Sequence, residues 1–570
     1  MDRAVADDPG VIPLSPPRRS TTRRADDRPR MVGSLAVVLV GVAVAVPVTA
    51  VVLRAVRDGG DWGLSAPARI LGAPRTWRLV TLTVAQAVGS TALTLAVGLP
   101  VAWVLGTFRF PGRRLIRLVV LVPFVLPSVV LATAVASVIG PTGPVDLRGT
   151  WWAVLIAHLC FNLAVVVLVV SDAVGRLPPS LDGAARTLGA GSLASFRRVV
   201  VPAVRPAIVS SAAVVFLFCL TSFGVVVILG GGAVTTLEVE IWTRATRQFD
   251  LSGAAVLAAL QVVTVVVALG LVGSASRRSG AGSLRTRRRR PRTVAERAAV
   301  AASAGAVLLV SGVPLAALVE RSTRVGERRT WSNWTDLGSV LEGTGLAVAP
   351  LDALRRSLLG AGIAALLAVL VAVPASALAA RRPGGVAERV LTLPLAISAT
   401  TIGLGLLLVV GRPPVDLRGS WWLVPVAQAL VALPLVVRVV APALRSVPRS
   451  SLDAAAVLGL DRGARRRRVE LPAIRGAMAA GAALAFVACL GEFGATVFLA
   501  RSDRATVPVV IEQLASRPGP AAVGQAMALS CVLVAVCGVV LLVVDSAGDR
   551  AASGRTLPRG RMVPWTSEPT

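Results

Sequence analysis

The side chains that most often carry out catalysis are scarce in this sequence of 570 residues. It contains five cysteines, one histidine and no lysine. A Walker-type loop needs a lysine to reach the nucleotide phosphates, so the chain cannot hydrolyse ATP by that route. No cysteines form a CxxC pair, and we expect His158, in the middle of an apolar run, to be a packed residue. We therefore predict no catalytic residue, no metal site and no directly bound cofactor, and we exclude a membrane enzyme.

One acidic side chain offers a different chemistry, because Glu492 falls within an apolar run. A carboxylate inside a membrane is costly, so it marks a candidate functional residue that could attract a cation or pair with arginine to gate a pathway. The alternative is a structural acid wetted by the outer headgroups, and the residues leave both interpretations open. Glu492 begins a short stretch that ends an apolar run, and a related stretch ends an earlier run. The candidate pathway residues in these two stretches are Ser222, Phe223, Gly224, Glu492, Phe493 and Gly494.

The elements that must position these residues are membrane helices. Hydrophobic residues make up 55% of the chain and charged residues 16%, and the mean hydropathy is +0.74, which is too apolar for a soluble protein of this size. The net charge of +30 comes from arginine clusters that flank apolar runs, so we exclude nucleic-acid binding and expect a lipid bilayer as the surroundings. With about 20 apolar residues needed for each span, we predict twelve spans, at residues 34–53, 79–106, 115–140, 151–171, 206–230, 252–276, 296–319, 357–380, 388–410, 420–442, 475–499 and 521–545.

The arginine distribution orients these spans. If the N-terminus is inside, the inner segments carry 40 of the 60 arginines. The positive-inside rule then places both termini in the cytoplasm of a multi-pass protein of the cell membrane. We predict a basic cytoplasmic tail, a first membrane unit, a basic cytoplasmic linker, a second membrane unit and a cytoplasmic tail, at residues 1–33, 34–276, 277–295, 296–546 and 547–570.

The two membrane units are copies of one another. Residues 144–152 recur as residues 414–422, and the same offset of 270 aligns Gly189 with Gly459 and Pro202 with Pro472. Chance matches would not share one constant offset over this distance, so the chain contains a duplication. Because each unit has an even number of spans, both copies face the same way, as parallel repeats that can enclose a pathway at their interface.

Two inner loops, after the fourth and tenth spans, share a pattern of an acid, small residues, a glycine and, after nine further residues, a segment that ends in proline. Its members are Asp182, Gly183, Ala184, Ala185, Gly189 and Pro202 in the first loop, and Asp453, Ala454, Ala455, Gly459 and Pro472 in the second loop. Small alanines let a helix lie close in a partner's groove, the glycine ends that helix, and the proline suits the first turn of the next one. The two aspartates can cap the helix start or favour it electrostatically.

This pattern closely resembles the EAA loop of ABC importer permeases, although Gly183 stands where the second loop has Asp453. The residues around Glu492 resemble the Gly-Glu-Phe-Gly stretch of ferric-iron, thiamine and related permeases, and residues 236–241 and 506–511 resemble that family's Thr-Leu-Pro-Val-x-Ile segment. The resemblance implies an all-α integral membrane protein of the MetI-like permease fold, with about twelve transmembrane helices in two parallel six-helix repeats. It also implies docking of two copies of a cytoplasmic ABC ATPase, which use the ATP, and delivery of substrate by an extracytoplasmic binding protein.

The resemblance leaves the substrate open. The fusion of two halves in one chain favours ferric iron, with thiamine as the alternative, beside phosphonates, polyamines, sulfate or molybdate. A secondary transporter of the major-facilitator type also has two parallel six-span halves, but it has no need of the two loops. We therefore expect the translocation pathway of an ABC importer, which works by alternating access.

Overall fold

The structure is a computed structural model that describes residues 28–58, 61–141, 143–178, 187–189, 191–276, 288–341, 343–412, 415–417, 419–517 and 519–553. Helices make up most of these residues, and the described strands are three short antiparallel pairs at tight turns. The pairs are Arg57–Asp58 with Asp61–Trp62, Arg324–Val325 with Arg328–Arg329, and Gly411–Arg412 with Val415–Asp416. The predicted all-α fold is confirmed.

The first half contains eleven described helices, several of them short. They are α1 (Arg28–Ala55), α2 (Ser65–Leu71), α3 (Pro74–Thr107), α4 (Arg113–Val125), α5 (Ser128–Ile139), α6 (Trp151–Gly175), α7 (Ser192–Ser195), α8 (Val201–Leu220), α9 (Gly224–Leu229), α10 (Leu237–Thr246) and α11 (Leu251–Ser276). A π-helical turn, Phe196–Val200, joins α7 to α8.

The second half repeats this order after the linker. Its described helices are α12 (Val294–Val307), α13 (Val313–Ser322), α14 (Ser332–Thr335), α15 (Pro350–Ala379), α16 (Val386–Thr392), α17 (Ala399–Val410), α18 (Leu423–Arg445), α19 (Arg449–Val457), α20 (Arg462–Arg465), α21 (Leu471–Leu490), α22 (Thr496–Leu499), α23 (Val507–Ala515) and α24 (Pro520–Ser553). Two π-helical turns, Leu308–Gly312 and Arg466–Glu470, and three 3-10 turns, Asp336–Gly338, Leu393–Leu395 and Ser502–Arg504, lie between them.

Polar side chains fix the start of several helices. The Thr150 hydroxyl accepts a hydrogen bond from the Ala153 amide at 3.4 Å where α6 begins. Thr293 and Glu296 form a reciprocal capping box at the start of α12. These contacts satisfy amide groups that the first helical turn leaves without partners. Local sequence therefore sets where the long apolar segments become helical.

The twelve predicted spans correspond to ten helices long and apolar enough to cross a membrane, plus two bent pairs, among the described residues. The bent pairs are α4 with α5, at 112°, and α16 with α17, at 92°. The prediction that residues 115–140 and 388–410 each form one continuous helix is therefore wrong, because each segment is two helices joined at a sharp bend. Pro127 explains the first break, because proline has no N–H and disfavours helical backbone at the preceding residue, Leu126, whose φ and ψ are −70° and 146°.

Each bent pair nevertheless runs the full length of its neighbouring long helix. At one end of α6, Arg117 of α4 pairs with Asp172 at 3.2 Å. At the other end, the Leu147 amide, just before α6, donates to the carbonyl of Ile139, the last residue of α5, at 2.9 Å. Since α6 has 25 residues, these ends are about 37 Å apart. The pair thus connects opposite ends of α6, which preserves six crossings in the first half.

The second half shows the same arrangement with different residues. Glu388 of α16 pairs with Arg445 at the end of α18, at 2.9 Å. Beyond the other bent helix, the Leu417 amide donates to the Val410 carbonyl at 3.0 Å, close to the start of α18. Six crossings in each half keep both copies the same way up.

The fifth and eleventh spans end earlier than predicted. Residues 206–230 divide into α8, which ends at Leu220, and the separate short helix α9, and residues 475–499 divide into α21 and α22. Close packing explains the second division, since a Cβ atom at Gly491 would lie 2.9 Å from Pro127 Cγ of the first half. The breaks therefore lie where the two halves meet.

The halves are interlocked through their first helices. Helix α1 packs against α15 and α17 of the second half, and α13 packs against α5 of the first half. A Cβ atom at Gly405 of α17 would lie 2.4 Å from the Pro47 carbonyl oxygen of α1. Glycine is required at this contact because any larger residue would separate the helices. The two sequence units are not two separate bodies.

The end of the basic linker is attached to the C-terminal end of α3. The Arg289 amide donates to the Thr107 carbonyl at 3.1 Å, and the Arg109 amide donates to the Arg289 carbonyl at 2.7 Å. The Arg289 guanidinium also lies over the Phe108 ring, 4.8 Å from its centroid. Residues 277–287, like most of the predicted N-terminal and C-terminal tails, lie outside the described residues, and the predicted boundaries of the two units stay predictions.

Candidate functional site

Phe223 and Phe493, equivalent residues of the two repeats, stack directly on each other where the halves meet. Their ring centroids are 5.1 Å apart and their planes differ by 19°. Both side chains are buried, and the Phe223 ring also contacts the edge of Trp242 at 5.8 Å. The two candidate pathway stretches therefore come together, and their aromatic rings fill the centre of the interface.

The glycines beside these rings allow the broken spans to approach closely. A Cβ atom at Gly224 would lie 2.5 Å from the Ser128 hydroxyl, at the start of α5. A Cβ atom at Gly494 would lie 3.1 Å from the Ala399 Cβ atom, at the start of α17. The same contact thus occurs in both halves, and each phenylalanine is positioned against the bend of its own half's broken span.

Ser222 belongs to a buried polar group within the first half. Its hydroxyl lies 2.8 Å from His158 Nε2, and the other ring nitrogen, Nδ1, lies 2.9 Å from the Ser90 hydroxyl. These contacts join α6, α3 and the end of α8 at the level of the phenylalanine pair. The prediction of His158 as a packed helix residue is confirmed.

Glu492 is buried, and groups of its own loop surround its carboxylate. The amides of Ala495 and Thr496 donate to it at 2.7 Å and 3.0 Å, and the Thr496 hydroxyl donates at 2.5 Å. This geometry caps the short helix α22 and shapes the turn that carries Phe493. A role of Glu492 in the substrate pathway stays a prediction.

A second buried carboxylate, Glu238, joins the two halves and was missed by the sequence reasoning. It lies on α10 of the first half and is fully buried. Gln261 of α11 donates to its Oε1 atom at 3.1 Å, and the Thr400 hydroxyl of α17, in the second half, donates to its Oε2 atom. The repeat offered a signal, because Glu238 stands where the second copy has Pro508.

The surroundings of Glu238 are polar but uncharged. Ser398 and Thr400 bond to each other at 2.9 Å, and Ser398 also donates to the Thr401 hydroxyl at 2.8 Å. In the chain, helix α10 follows the spanning helix α8 and precedes the spanning helix α11. Burial raises the pKa of Glu238 from 4.5 to about 7, while hydrogen bonds from Thr400, Ser398 and Gln261 oppose this shift.

The second loop forms the short helix that its sequence predicts. Helix α19 contains Asp453, Ala454 and Ala455, and it ends in a left-handed turn at Gly459, whose φ is +76°. The Gly459 amide donates to the Ala456 carbonyl and the Leu460 amide to the Ala455 carbonyl, both at 3.0 Å. This Schellman motif explains the glycine, because other residues are strained at such a φ.

The tips of both loops expose apolar side chains. Val457 and Leu458 are 88% and 80% exposed, and Leu188, the repeat equivalent of Leu458, is 87% exposed. Gly189 has a φ of +79°, so the first loop makes the same glycine turn. The remaining predicted residues of the first helix, Asp182, Gly183, Ala184 and Ala185, lie outside the described residues.

The predicted capping role of Asp453 is wrong. Helix α19 begins at Arg449, so the Asp453 side chain is too far along the helix to reach its unpaired amides. It is exposed. The acid that does cap a helix in this loop is Asp461, whose Oδ1 atom accepts from the Ala464 amide at 2.6 Å where α20 begins.

Pro202 and Pro472 lie in the first turn of α8 and α21, as predicted. A π-helical turn precedes each of them, Phe196–Val200 and Arg466–Glu470. Because proline cannot donate a hydrogen bond, the wider turn accommodates it without ending the helical path. In both loops the described residues therefore continue into the long helix that leads to the phenylalanine pair.

The described residues contain no group of three or more histidine, cysteine, aspartate or glutamate side chains that could hold a metal ion. The five cysteines are buried and free. The polar groups described above therefore bind one another or the backbone.

Comparison with known proteins gives a family for both halves. Residues 98–280 and 342–550 each match the family described as the inner membrane component of binding-protein-dependent transport systems. The two matches cover most of the chain, and each includes one of the loops and one of the phenylalanines.

Individual relatives extend across both halves. The chain is 28% identical to the thiamine transport system permease protein ThiP of Brucella abortus over 518 residues, which is 84% of this chain and 88% of the relative. It is 27% identical to the protein of the same name from Escherichia coli over 463 residues, 77% of this chain and 83% of the relative. It is also 31% identical to the sulfate transport system permease protein CysT of Salmonella typhimurium, over 195 residues that cover 32% of this chain and 70% of the relative.

Proposed function

Because the chain belongs to the family of inner membrane components of binding-protein-dependent transport systems, we propose that its two fused halves form the complete translocation pathway of a thiamine importer. It is a multi-pass membrane permease of the ABC importer type. The secondary-transporter alternative is set aside, since the family matches both halves. The preference for ferric iron is replaced by thiamine, the substrate named for the two full-length relatives described above.

The observation that carries this proposal is the alignment over both halves with thiamine permeases. The sulfate permease aligns with about a third of the chain, so it supports the shared fold more than the substrate. A fused chain supplies two loops and two phenylalanines from one polypeptide. We infer that one copy is enough to form the pathway.

The chemistry at the interface suits thiamine, which carries a cationic thiazolium ring and an aminopyrimidine ring. The face of an aromatic ring attracts a cation, and the Phe223–Phe493 pair offers two such faces once the rings separate. The Glu238 carboxylate lies at the same interface between halves. Neither group would favour an anion such as sulfate.

We propose that the stacked phenylalanines close the pathway in this conformation. We infer that transport requires the two halves to rock apart, which breaks the stack on one side at a time. Because α8 and α21 connect the loops to the two candidate pathway stretches, a movement of the loops changes the separation of the rings. This connection between the loops and the rings supports the proposal of alternating access.

The exposed loop tips are the proposed docking points for two copies of a cytoplasmic ABC ATPase. When a partner covers exposed apolar side chains such as Leu188 and Leu458, their burial stabilises the complex. ATP bound by these partners would drive the loops together. An extracytoplasmic binding protein would deliver thiamine to the opposite face, in a cell membrane that keeps both termini in the cytoplasm.

Deletion of the chain's gene tests the proposal in cells. We expect accumulation of labelled thiamine to stop, and to return when the intact chain is supplied from a plasmid. Unchanged thiamine accumulation, together with lost uptake of iron or sulfate, would contradict the proposed substrate.

A further inference from the structure

A cavity of about 730 Å³ lies beside the second loop, between the ends of α15 and α18 that face this loop. Six arginines line it: Arg381, Arg445, Arg449, Arg462, Arg465 and Arg466. Glu470 is the acid in the same lining. The cavity is therefore strongly cationic.

Carboxylates offset part of this charge. Glu388 pairs with Arg445 at 2.9 Å, and Glu470 lies 3.9 Å from Arg465. Arg465 and Arg466 are half-buried, which weakens the screening of their charges by water. Guanidinium groups that line one cavity create a positive potential there, which attracts an anion.

The positive-inside rule alone does not explain this convergence. The first half has the same loop, yet at the 270-residue offset it has no arginine at any of the six equivalent positions, which are Pro111, Gly175, Pro179, Ser192, Ser195 and Phe196. Arginines that only anchored the chain would be needed equally in both halves. This set of six arginines is therefore specific to the second half of the sequence.

The walls below the charged rim are apolar. Ala377, Leu378 and Leu444, which belong to the spanning helices α15 and α18, continue the lining away from the arginines. Arginine binds phosphate oxygens with two parallel hydrogen bonds, and such contacts are strongest where water is excluded. The cavity thus combines several groups that can bind phosphate with apolar lining residues.

We propose that this cavity binds an anion that carries phosphate groups, and that the bound anion holds the second loop against the ends of α15 and α18. Arg449 and Arg462 begin helices α19 and α20 of the loop, whereas Arg381 and Arg445 belong to the ends of the spanning segments. One anion can therefore join the loop to the membrane helices. Two sources of phosphate fit this place, an anionic lipid headgroup and a soluble phosphate or pyrophosphate.

A pair of double variants tests the cavity. R465Q/R466Q removes two lining arginines, and R467Q/R468Q removes two exposed arginines from the adjoining positions with the same change of net charge. The probes are phosphatidylglycerol and inorganic pyrophosphate, with phosphatidylcholine as the uncharged comparison. Each is titrated against the purified full chain in neutral detergent while the thermal unfolding midpoint is recorded.

We expect phosphatidylglycerol or pyrophosphate to raise the unfolding midpoint of the intact chain and of R467Q/R468Q. The half-saturating concentration for R465Q/R466Q should be at least about tenfold higher, because two charge-assisted contacts are lost. The probe that acts identifies the source, lipid or soluble. The E470Q variant should bind the same probe more tightly than the intact chain, a gain that mere destabilisation cannot produce.

Three results would overturn the proposal. The first is an absence of any midpoint shift with both probes, and the second is an equal loss of binding in the two double variants. The third is loss of ATPase co-purification by R465Q/R466Q with no phosphate response in the intact chain, which would make the arginines a protein contact. None of these outcomes depends on thiamine being the substrate.

Discussion

Phe223 and Phe493 are 270 residues apart in the chain, yet their rings stack with centroids 5.1 Å apart between the two halves. Each ring is held by a neighbouring glycine that packs against the bend of a broken span. We propose that this pair closes the pathway and that its separation is the movement that transport requires.

Replacement of Phe493 by alanine should loosen this closure. Loss of an aromatic pair is worth about 0.5–1.5 kcal/mol, which corresponds to a shift of about two- to tenfold towards the open state. We expect ATP hydrolysis by the assembled complex to rise in the absence of substrate, with fewer substrate molecules transported per ATP. Phe498→Ala is the control, since Phe498 is also buried but lies on α22, outside the stack. Equal effects of the two variants would contradict a role in closure.

Glu238 should make stability depend on pH. Its pKa is about 7 in the folded chain and 4.5 when unperturbed, so the folded chain holds the proton more tightly. The folded state is therefore most favoured below pH 4.5, and about 3 kcal/mol is lost as the pH rises to about 7. Glu238→Gln should remove this loss. The measurement is the unfolding midpoint of the intact chain and of Glu238→Gln between pH 4.5 and about 7. A difference between the two midpoints that does not change with pH would contradict the burial of this carboxylate.

Gly459 should be needed for its backbone conformation. Its φ is +76° and nothing lies within 4 Å of the position of a Cβ atom, so a substitution causes strain without a clash. We expect Gly459→Val to distort the end of α19 and to reduce co-purification of the ATPase. Gly459→Asn should retain most of the association, because asparagine tolerates left-handed backbone. Co-purification that is equally strong with valine would argue against docking through this turn.

Glu492→Gln separates the two interpretations of this acid. A structural cap predicts a loss of about 1–3 kcal/mol of stability, because a neutral amide replaces the carboxylate that accepts from Ala495 and Thr496. Substrate affinity would then be unchanged in the protein that remains folded. A KM for thiamine that rises about tenfold with no loss of stability would instead place Glu492 in the pathway.

The sequence was most informative about features that repeat. The offset of 270 aligned Gly189 with Gly459, and both glycines have the left-handed backbone that their position in the loop predicts. Gly224 and Gly494 also make equivalent contacts in the two halves. Repetition makes such features visible because two independent copies retain the same spacing.

Features that depend on tertiary packing were not predictable in the same way. Hydropathy detects an apolar run but not its bend, so the break at Pro127 was read as part of a continuous span. The contact between Glu238 and Thr400 joins residues 162 apart in different halves, and no periodicity indicates it. The exchange of α1 and α13 between halves likewise follows from packing alone.

Uptake by a purified system tests the central claim most directly. The intact chain is reconstituted in proteoliposomes with its ATPase and binding protein, and entry of labelled thiamine is measured with and without ATP. We expect ATP-dependent accumulation that excess unlabelled thiamine abolishes and that ferric iron or sulfate leaves unchanged. Absence of thiamine accumulation in vesicles that accumulate one of those other ions would contradict it.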